Sequence, residues 1–264
     1  MEDKAPLTLA GTSRYFARDR GIRLPPADPL APRSLQALFA GQVIERYPAP
    51  RPICWEGEPA SHVFHLLEGC LRVYRTVEDG RRAILRFAEA GDILCLAASE
   101  TYLFTAEAVT LARFSRIARR RFDAIIDADH GLRRQMDAEI CRETRSAQDH
   151  IVRLGRTGAD ERLAAFLLEM ARPRSAASPA AAIEVLVPFG RLDIADYLGL
   201  TVETISRELS KLRRRGLIST KGPHRIVLDR IGELRVIAAM TSDGLIPAPV
   251  APSLAVPPDR GCAL

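Results

Sequence analysis

Lysine is nearly missing from this chain: it occurs at Lys4, Lys211 and Lys221 only, so almost all of the 38 basic residues are arginine. That skew follows genome composition as readily as function and assigns no partner by itself. No run of about 18 apolar residues occurs, which argues against a helical membrane span. The N-terminal MEDKAPLTLAGTSRYFARDR lacks the long apolar centre of a signal peptide, so the expected location is cytoplasmic, with no membrane partner. The five cysteines, Cys54, Cys70, Cys95, Cys141 and Cys262, form no C-x-x-C pair, and their spacing suits neither zinc nor an iron–sulfur cluster. Buried, reduced thiols are the expectation, with no cofactor. There is no Gly-rich phosphate loop, no metal-ligand set and no nucleophile motif, so the chain does not read as an enzyme.

What is present is enough for two modest domains: 264 residues, 47% hydrophobic and 27% charged. The net charge of +5 suits a polyanionic partner without identifying one. The most informative stretch is Arg191 to Arg215, RLDIADYLGLTVETISRELSKLRRR. Ile194, Ala195 and Leu198 recur at helical spacing, as do Ile205, Leu209 and Leu212, and Leu198-Gly199-Leu200 breaks the two segments apart. Thr201 is a candidate N-cap for the second helix, and Gly216 a candidate left-handed stop. Two short amphipathic helices about a Gly-containing turn form a helix-turn-helix. The second helix leaves Glu203, Ser206, Arg207, Ser210, Lys211 and Arg214 outward, a face able to enter a DNA groove. A solvated basic surface has the same pattern, and Glu203 with Arg207 is also the spacing of an ordinary i,i+4 ion pair.

The following residues favour DNA. Leu217-Ile218-Ser219 and Arg225–Leu228 flank a Gly222-Pro223 turn and read as a hairpin, making a winged helix-turn-helix with Lys221, His224 and Arg225 near phosphate. From Thr201 to Arg235 nine Lys/Arg face four Asp/Glu.

At these residues the chain resembles a family. GLTVETISREL, preceded by ADERLAAFLLEMARP at Ala159–Pro173, is similar to the FNR branch of the Crp/Fnr transcription regulators, and a weaker likeness runs over roughly Leu35 to Leu228. The resemblance implies that Glu203, Ser206 and Arg207 read a TTGA half-site and its inverted partner. Thr201, Ser210, Lys211, Arg214, Lys221 and Arg225 are the expected backbone contacts. FNR itself carries an N-terminal cysteine cluster holding an oxygen-labile iron–sulfur group. This chain has no cysteine before Cys54 and has Arg113 near the last ligand's place, so the cluster is not carried over. FixK-like regulators, which lack those cysteines, are the subgroup implied.

In chain order, residues 1–34 are Pro- and Gly-rich and read as a flexible arm, with a short helix near Leu35–Leu38. Residues 35–128 read as a β-roll. His62–Leu67, Leu71–Arg75, Arg82–Phe87 and Ile93–Leu96 are strands separated by Glu68-Gly69, Glu78-Asp79-Gly80 and Ala90-Gly91-Asp92 turns. The resemblance implies the cyclic-nucleotide-binding fold there. A buried phosphate needs a cation or a nest of N–H groups, yet no Arg or Lys occurs between Arg86 and Arg113, so cyclic AMP binding is not expected. His62 and His65 lie on opposite strand faces, which suits packing rather than haem or metal ligation. Ala118–Ile126 reads as a short helix.

Asp129 then caps a long helix over 129–155, whose stripe Leu132, Met136, Ile140, Ala147, Ile151 and Leu154 spans about 37 Å. Such a stripe is natural for a parallel homodimer seam, although a helix packed on its own domain has the same pattern. Residues 156–240 read as the winged helix-turn-helix domain, with an inner face Leu163, Phe166, Leu167 and Met170, a strand at Ile183–Val187 and a last helix at Ile231–Met240. A Pro/Ser/Ala loop is expected at Pro173–Ala182. Residues 241–264, with five prolines, read as a disordered tail.

The expected fold is therefore α+β. The expected function is that of a homodimeric, sequence-specific DNA-binding transcription regulator of an inverted repeat such as TTGA-N6-TCAA, working with RNA polymerase. By resemblance its targets are genes of microaerobic or anaerobic respiration, denitrification or nitrogen fixation. An alternative keeps the fold but makes DNA binding conditional on haem, nitric oxide, a nucleotide or thiol oxidation sensed by the N-terminal domain.

Overall fold

A computed structural model describes residues 34–171 and 182–239. The expected flexible arm (all but Ser34), most of the Pro/Ser/Ala loop and the expected disordered tail lie outside the described residues.

The first half is a roll of two four-stranded antiparallel sheets. A 3₁₀ turn, Gln36–Phe39, precedes β1 (Ile44–Tyr47), β2 (Pro52–Cys54), β3 (His62–Glu68) and β4 (Cys70–Thr76). Then come β5 (Arg82–Glu89), β6 (Ile93–Leu94), β7 (Thr105–Ala108) and β8 (Ala112–Ala118). The sheets run β1-β8-β3-β6 and β2-β7-β4-β5. Phe64, Leu66, Leu71, Val73, Ala106 and Phe114 close the space between them. The expected strands all occur, but the last stops at Leu94. Cys95 adopts φ +65°, a left-handed conformation that cannot continue a ladder, and the Arg119 guanidinium holds its carbonyl. β7 gave no alternating signal because all four of its residues are buried.

Helix α1 (Arg119–Ala128) leads into α2 (His130–Arg156). Asp129 caps α2, its Oδ1 accepting from the N–H groups of Gly131 at 2.6 Å and Leu132 at 2.9 Å. The first part of the expected seam is a correction: Leu132 and Met136, 2% and 9% exposed, are covered by the chain's own Leu35, Leu38, Phe122 and Ile126. Ile140 is half-buried beside the same cluster. Beyond it the helix leaves its own domain. Every residue from Cys141 to Asp149 except Glu143 is exposed, Ala147 included, and Ile151 is 67% exposed, with Leu154 half-buried.

The second half begins with α3 (Ala159–Met170), followed by β9 (Ile183–Leu186), α4 (Arg191–Leu198), α5 (Val202–Arg214), β10 (Ile218–Thr220), β11 (Arg225–Leu228) and α6 (Ile231–Ala239). The three strands form one antiparallel sheet, β10-β11-β9. Leu163, Phe166 and Leu167 of α3 are buried with Ile194, Leu198, Ile205, Leu212 and Leu234 in one core. That core reaches the roll: Cys70, Tyr74 and Ile84 belong to it, and Phe87 of β5 stacks on Phe189 with centroids 3.8 Å apart and planes 14° apart. Burial lifts the Cys70 thiol to about 12, as expected of a packing cysteine.

Candidate nucleic-acid interface

The two helices of the interface are set by local chemistry. Gly199 (φ +61°) ends α4, and the Leu200 N–H reaches back to the Ala195 carbonyl at 3.0 Å. The Thr201 Oγ1 accepts from the Thr204 N–H at 3.2 Å and so caps α5. Gly216 (φ +66°) ends α5 in a Schellman turn, with Gly216 N–H on the Arg213 carbonyl and Leu217 N–H on that of Leu212. Ile205, Leu209 and Leu212 are buried, and this fixes which side of α5 faces solvent. Arg162, which sequence reasoning passed over, ties the assembly to α2. Its guanidinium donates to the carbonyls of Leu154 (2.8 Å), Thr157 (3.0 Å) and Leu198 (2.9 Å), which end α2 and α4.

On the outer face, Glu203 is exposed and has no ion-pair partner among the described residues. Arg207 is exposed and sits 3.6 Å from Glu208 Oε1 rather than pairing with Glu203. The i,i+4 surface pair is therefore not formed: Glu203 stands unpaired among the described residues, and Arg207 keeps a long ion pair to Glu208 with 69% of its side chain exposed. Ser206 Oγ accepts from Arg191 Nη1 at 3.0 Å. Arg191, the first residue of α4, was also missed, because a sequence window on the second helix does not contain it.

The expected backbone contacts divide. Arg214 is exposed and has no ion-pair partner among the described residues. Ser210 turns inward, donating to the Ser206 carbonyl at 2.8 Å while accepting from Arg213 at 3.1 Å. Lys211 bridges Asp160 of α3 (3.2 Å) and Glu208 (3.3 Å), and these hydrogen bonds raise its pKa. It acts as a strut between helices rather than a free cation. Lys221 and Arg225 share Glu184 of β9 at 3.3 Å and 2.5 Å, remaining 67% and 62% exposed, where a phosphate could replace the carboxylate. His224 anchors the wing, its Nδ1 lying 3.3 Å from the Val187 carbonyl.

In the roll, the segment 95–104 bounds a cleft of about 50 Å³ with Ala60, Arg119 and Glu143. Arg119 is committed to the carbonyls of Cys95 and Leu96, and Glu143 pairs with Arg86 at 2.8 Å. His62 bonds Ser61 Oγ at 2.9 Å and His65 packs on Phe39, and burial lowers both imidazoles. Among the described residues no group of three or more His, Cys, Asp or Glu could hold a metal ion. None of their helices is long and apolar enough to cross a membrane.

A roll joined by a long helix to a winged helix-turn-helix with an outward Glu/Ser/Arg face defines a DNA-binding transcription regulator. Comparison with known proteins agrees: residues 44–129 match the cyclic nucleotide-binding domain, and residues 161–246 match the Crp-like helix-turn-helix domain. The nitrogen fixation regulation protein FixK of Bradyrhizobium diazoefficiens is 41% identical over 164 residues, covering 62% of this chain and 69% of that protein. FixK of Azorhizobium caulinodans is 34% identical over 223 residues, covering 84% and 86%. The solved structure of FixK2 from Bradyrhizobium japonicum superposes with a TM-score of 0.69 at 35% identity, covering 74% of this chain and 96% of that one. The chain belongs to the Crp/Fnr family of transcription regulators and is FixK-like; it is not an enzyme.

The domain model implies a cyclic nucleotide, and the residues do not fit one. Small-molecule pockets run to about 300–1,000 Å³. The cleft here is far smaller, and its one lining cation is already bonded to backbone.

Proposed function

We propose that two copies of this chain pair along the exposed half of α2 and bind an inverted repeat, TTGA-N6-TCAA or a close variant, in the cytoplasm. The observation that carries this reading is the outer face of α5, where Glu203 has no ion-pair partner among the described residues and Arg207, paired only to Glu208 at 3.6 Å, keeps 69% of its side chain exposed. An arginine fork suits guanine O6 and N7, and a carboxylate accepts from the N4 of its paired cytosine, so the two side chains can divide the G·C pair of TTGA. Half-site centres about 10 base pairs apart put the two recognition helices one turn apart on one side of the duplex, as a twofold dimer requires. Ala147, Ile151 and Leu154 form the remaining seam. Lys221, Arg225 and Arg214 supply phosphate attraction that weakens with salt. The output is recruitment of RNA polymerase to genes of nitrogen fixation or microaerobic and anaerobic respiration; of these, nitrogen fixation is what the names of the two FixK relatives support.

Gel shifts on matched and scrambled duplexes test the reading. Glu203→Ala and Arg207→Ala are expected to lose about 1–3 kcal/mol of discrimination each, and Lys221→Ala to weaken both duplexes alike. Equal losses on both duplexes for Arg207→Ala would remove it from base reading. Calorimetry is expected to show no tight uptake of cyclic AMP and unaided binding to the matched site.

A further inference from the structure

Serine and threonine hydroxyls inside helices commonly donate their proton to the carbonyl four residues back. Thr144 does so to Ile140 at 2.9 Å, and Ser210 to Ser206 at 2.8 Å. Ser206 differs. Its one side-chain hydrogen bond among the described residues comes from Arg191 Nη1, at 3.0 Å. A guanidinium has only donors, so the direction of that bond is fixed and Ser206 must accept. The hydroxyl proton is left for a partner outside the chain.

Arg191 is also placed against local preference. It opens α4, directly after Gly190, where the positive end of the helix disfavours a cation. A residue that breaks a local rule while reaching across to another helix is the signature of a function.

We propose that Arg191 is a positioning residue for base reading by Ser206: it takes one of the two lone pairs of the serine oxygen and orients the hydroxyl as an outward hydrogen-bond donor. The inference rests on the DNA-binding reading above and sharpens it. A donor in the major groove is satisfied by guanine O6 or N7, adenine N7 or thymine O4, and meets only another donor at cytosine N4. With one of its two lone pairs taken and its proton outward, Ser206 therefore favours the acceptor-bearing bases over cytosine at the base it faces, and this preference depends on Arg191.

The test uses the full chain and a set of duplexes in which each base of the half-site is replaced in turn by the other three. Binding is read by fluorescence anisotropy between about 50 and 200 mM salt. Ser206→Ala is expected to lose roughly tenfold discrimination against cytosine at one position. Arg191→Ala is expected to lose the same preference at the same position, and the double variant no more than either single one. Helical content by circular dichroism should be unchanged, since Arg191 is exposed. The proposal is overturned if Arg191→Ala weakens every duplex alike with a shallower salt slope, additively with Ser206→Ala. It is also overturned if Ser206→Ala alters preference nowhere while Arg207→Ala does. A wild-type chain indifferent to matched and scrambled duplexes would instead overturn the DNA-reading face itself.

Discussion

Gly69 joins β3 to β4 with φ +94°, and a Cβ there would lie 2.4 Å from the Leu111 carbonyl oxygen and 3.0 Å from the Ala112 Cα. Both contacts are backbone, so nothing can swing aside. Gly69→Ala is expected to destabilise the roll by about 2–4 kcal/mol, combining a left-handed backbone with overpacking. A urea midpoint within error of the parent would contradict it. His150 is buried on α2 and stacks on Tyr197 of α4, with ring centroids 4.2 Å apart and planes 9° apart. Burial, then Arg153, lowers its pKa, while Glu169 opposes this. The unfolded chain takes up a proton near pH 6.5 that the folded chain resists. The unfolded state therefore binds more protons below that value, and stability falls as pH falls through it. His62 and His65 shift in the same direction. The melting temperature is expected to drop between pH 7.5 and 5.5, and His150→Phe, which keeps the stacking, to flatten part of that drop.

The helix ends are legible in the sequence. Asp129, Thr201, Gly199 and Gly216 act on backbone groups within a few residues, so their neighbours in sequence are their neighbours in space. The seam on α2 was only half legible. Hydrophobic spacing says that Leu132, Met136, Ile140, Ala147, Ile151 and Leu154 share a side, but not what covers them. The first two face their own domain, whereas Ile151 faces solvent. Pairing of copies is therefore expected to depend on the second half of α2. Ile151→Glu should shift the chain to monomer in sedimentation and weaken binding to the inverted repeat, whereas a dimer of undiminished stability would displace the seam elsewhere.

Across the whole molecule the roll and the DNA-binding half are joined by groups far apart in the chain. Arg72 of β4 donates to Glu107 of β7 at 2.6 Å and to Asp193 of α4 at 2.9 Å, and Tyr74 donates to the same Glu107 at 3.1 Å. Asp193, in the first turn of α4, reads in sequence as a favourable charge at a helix start, and it is that as well. Only 6% exposed, it is also the polar pin between the two halves. Asp193→Ala is expected to cost about 1–3 kcal/mol. It should also split one calorimetric unfolding transition into two; a single, unshifted transition would refute the pin.

The sequence alone determined the helix-turn-helix, its caps, the wing and the outward Glu203, Ser206 and Arg207, because all of these follow from periodicity and local hydrogen bonding. Tertiary structure decided the rest: which part of α2 is already covered, that Lys211 braces α3, and that Arg72 meets Asp193. It also decided that Arg191 reaches Ser206. The last three pairings join residues 15 to 121 positions apart, and no local rule brings such partners together; only the packed core does.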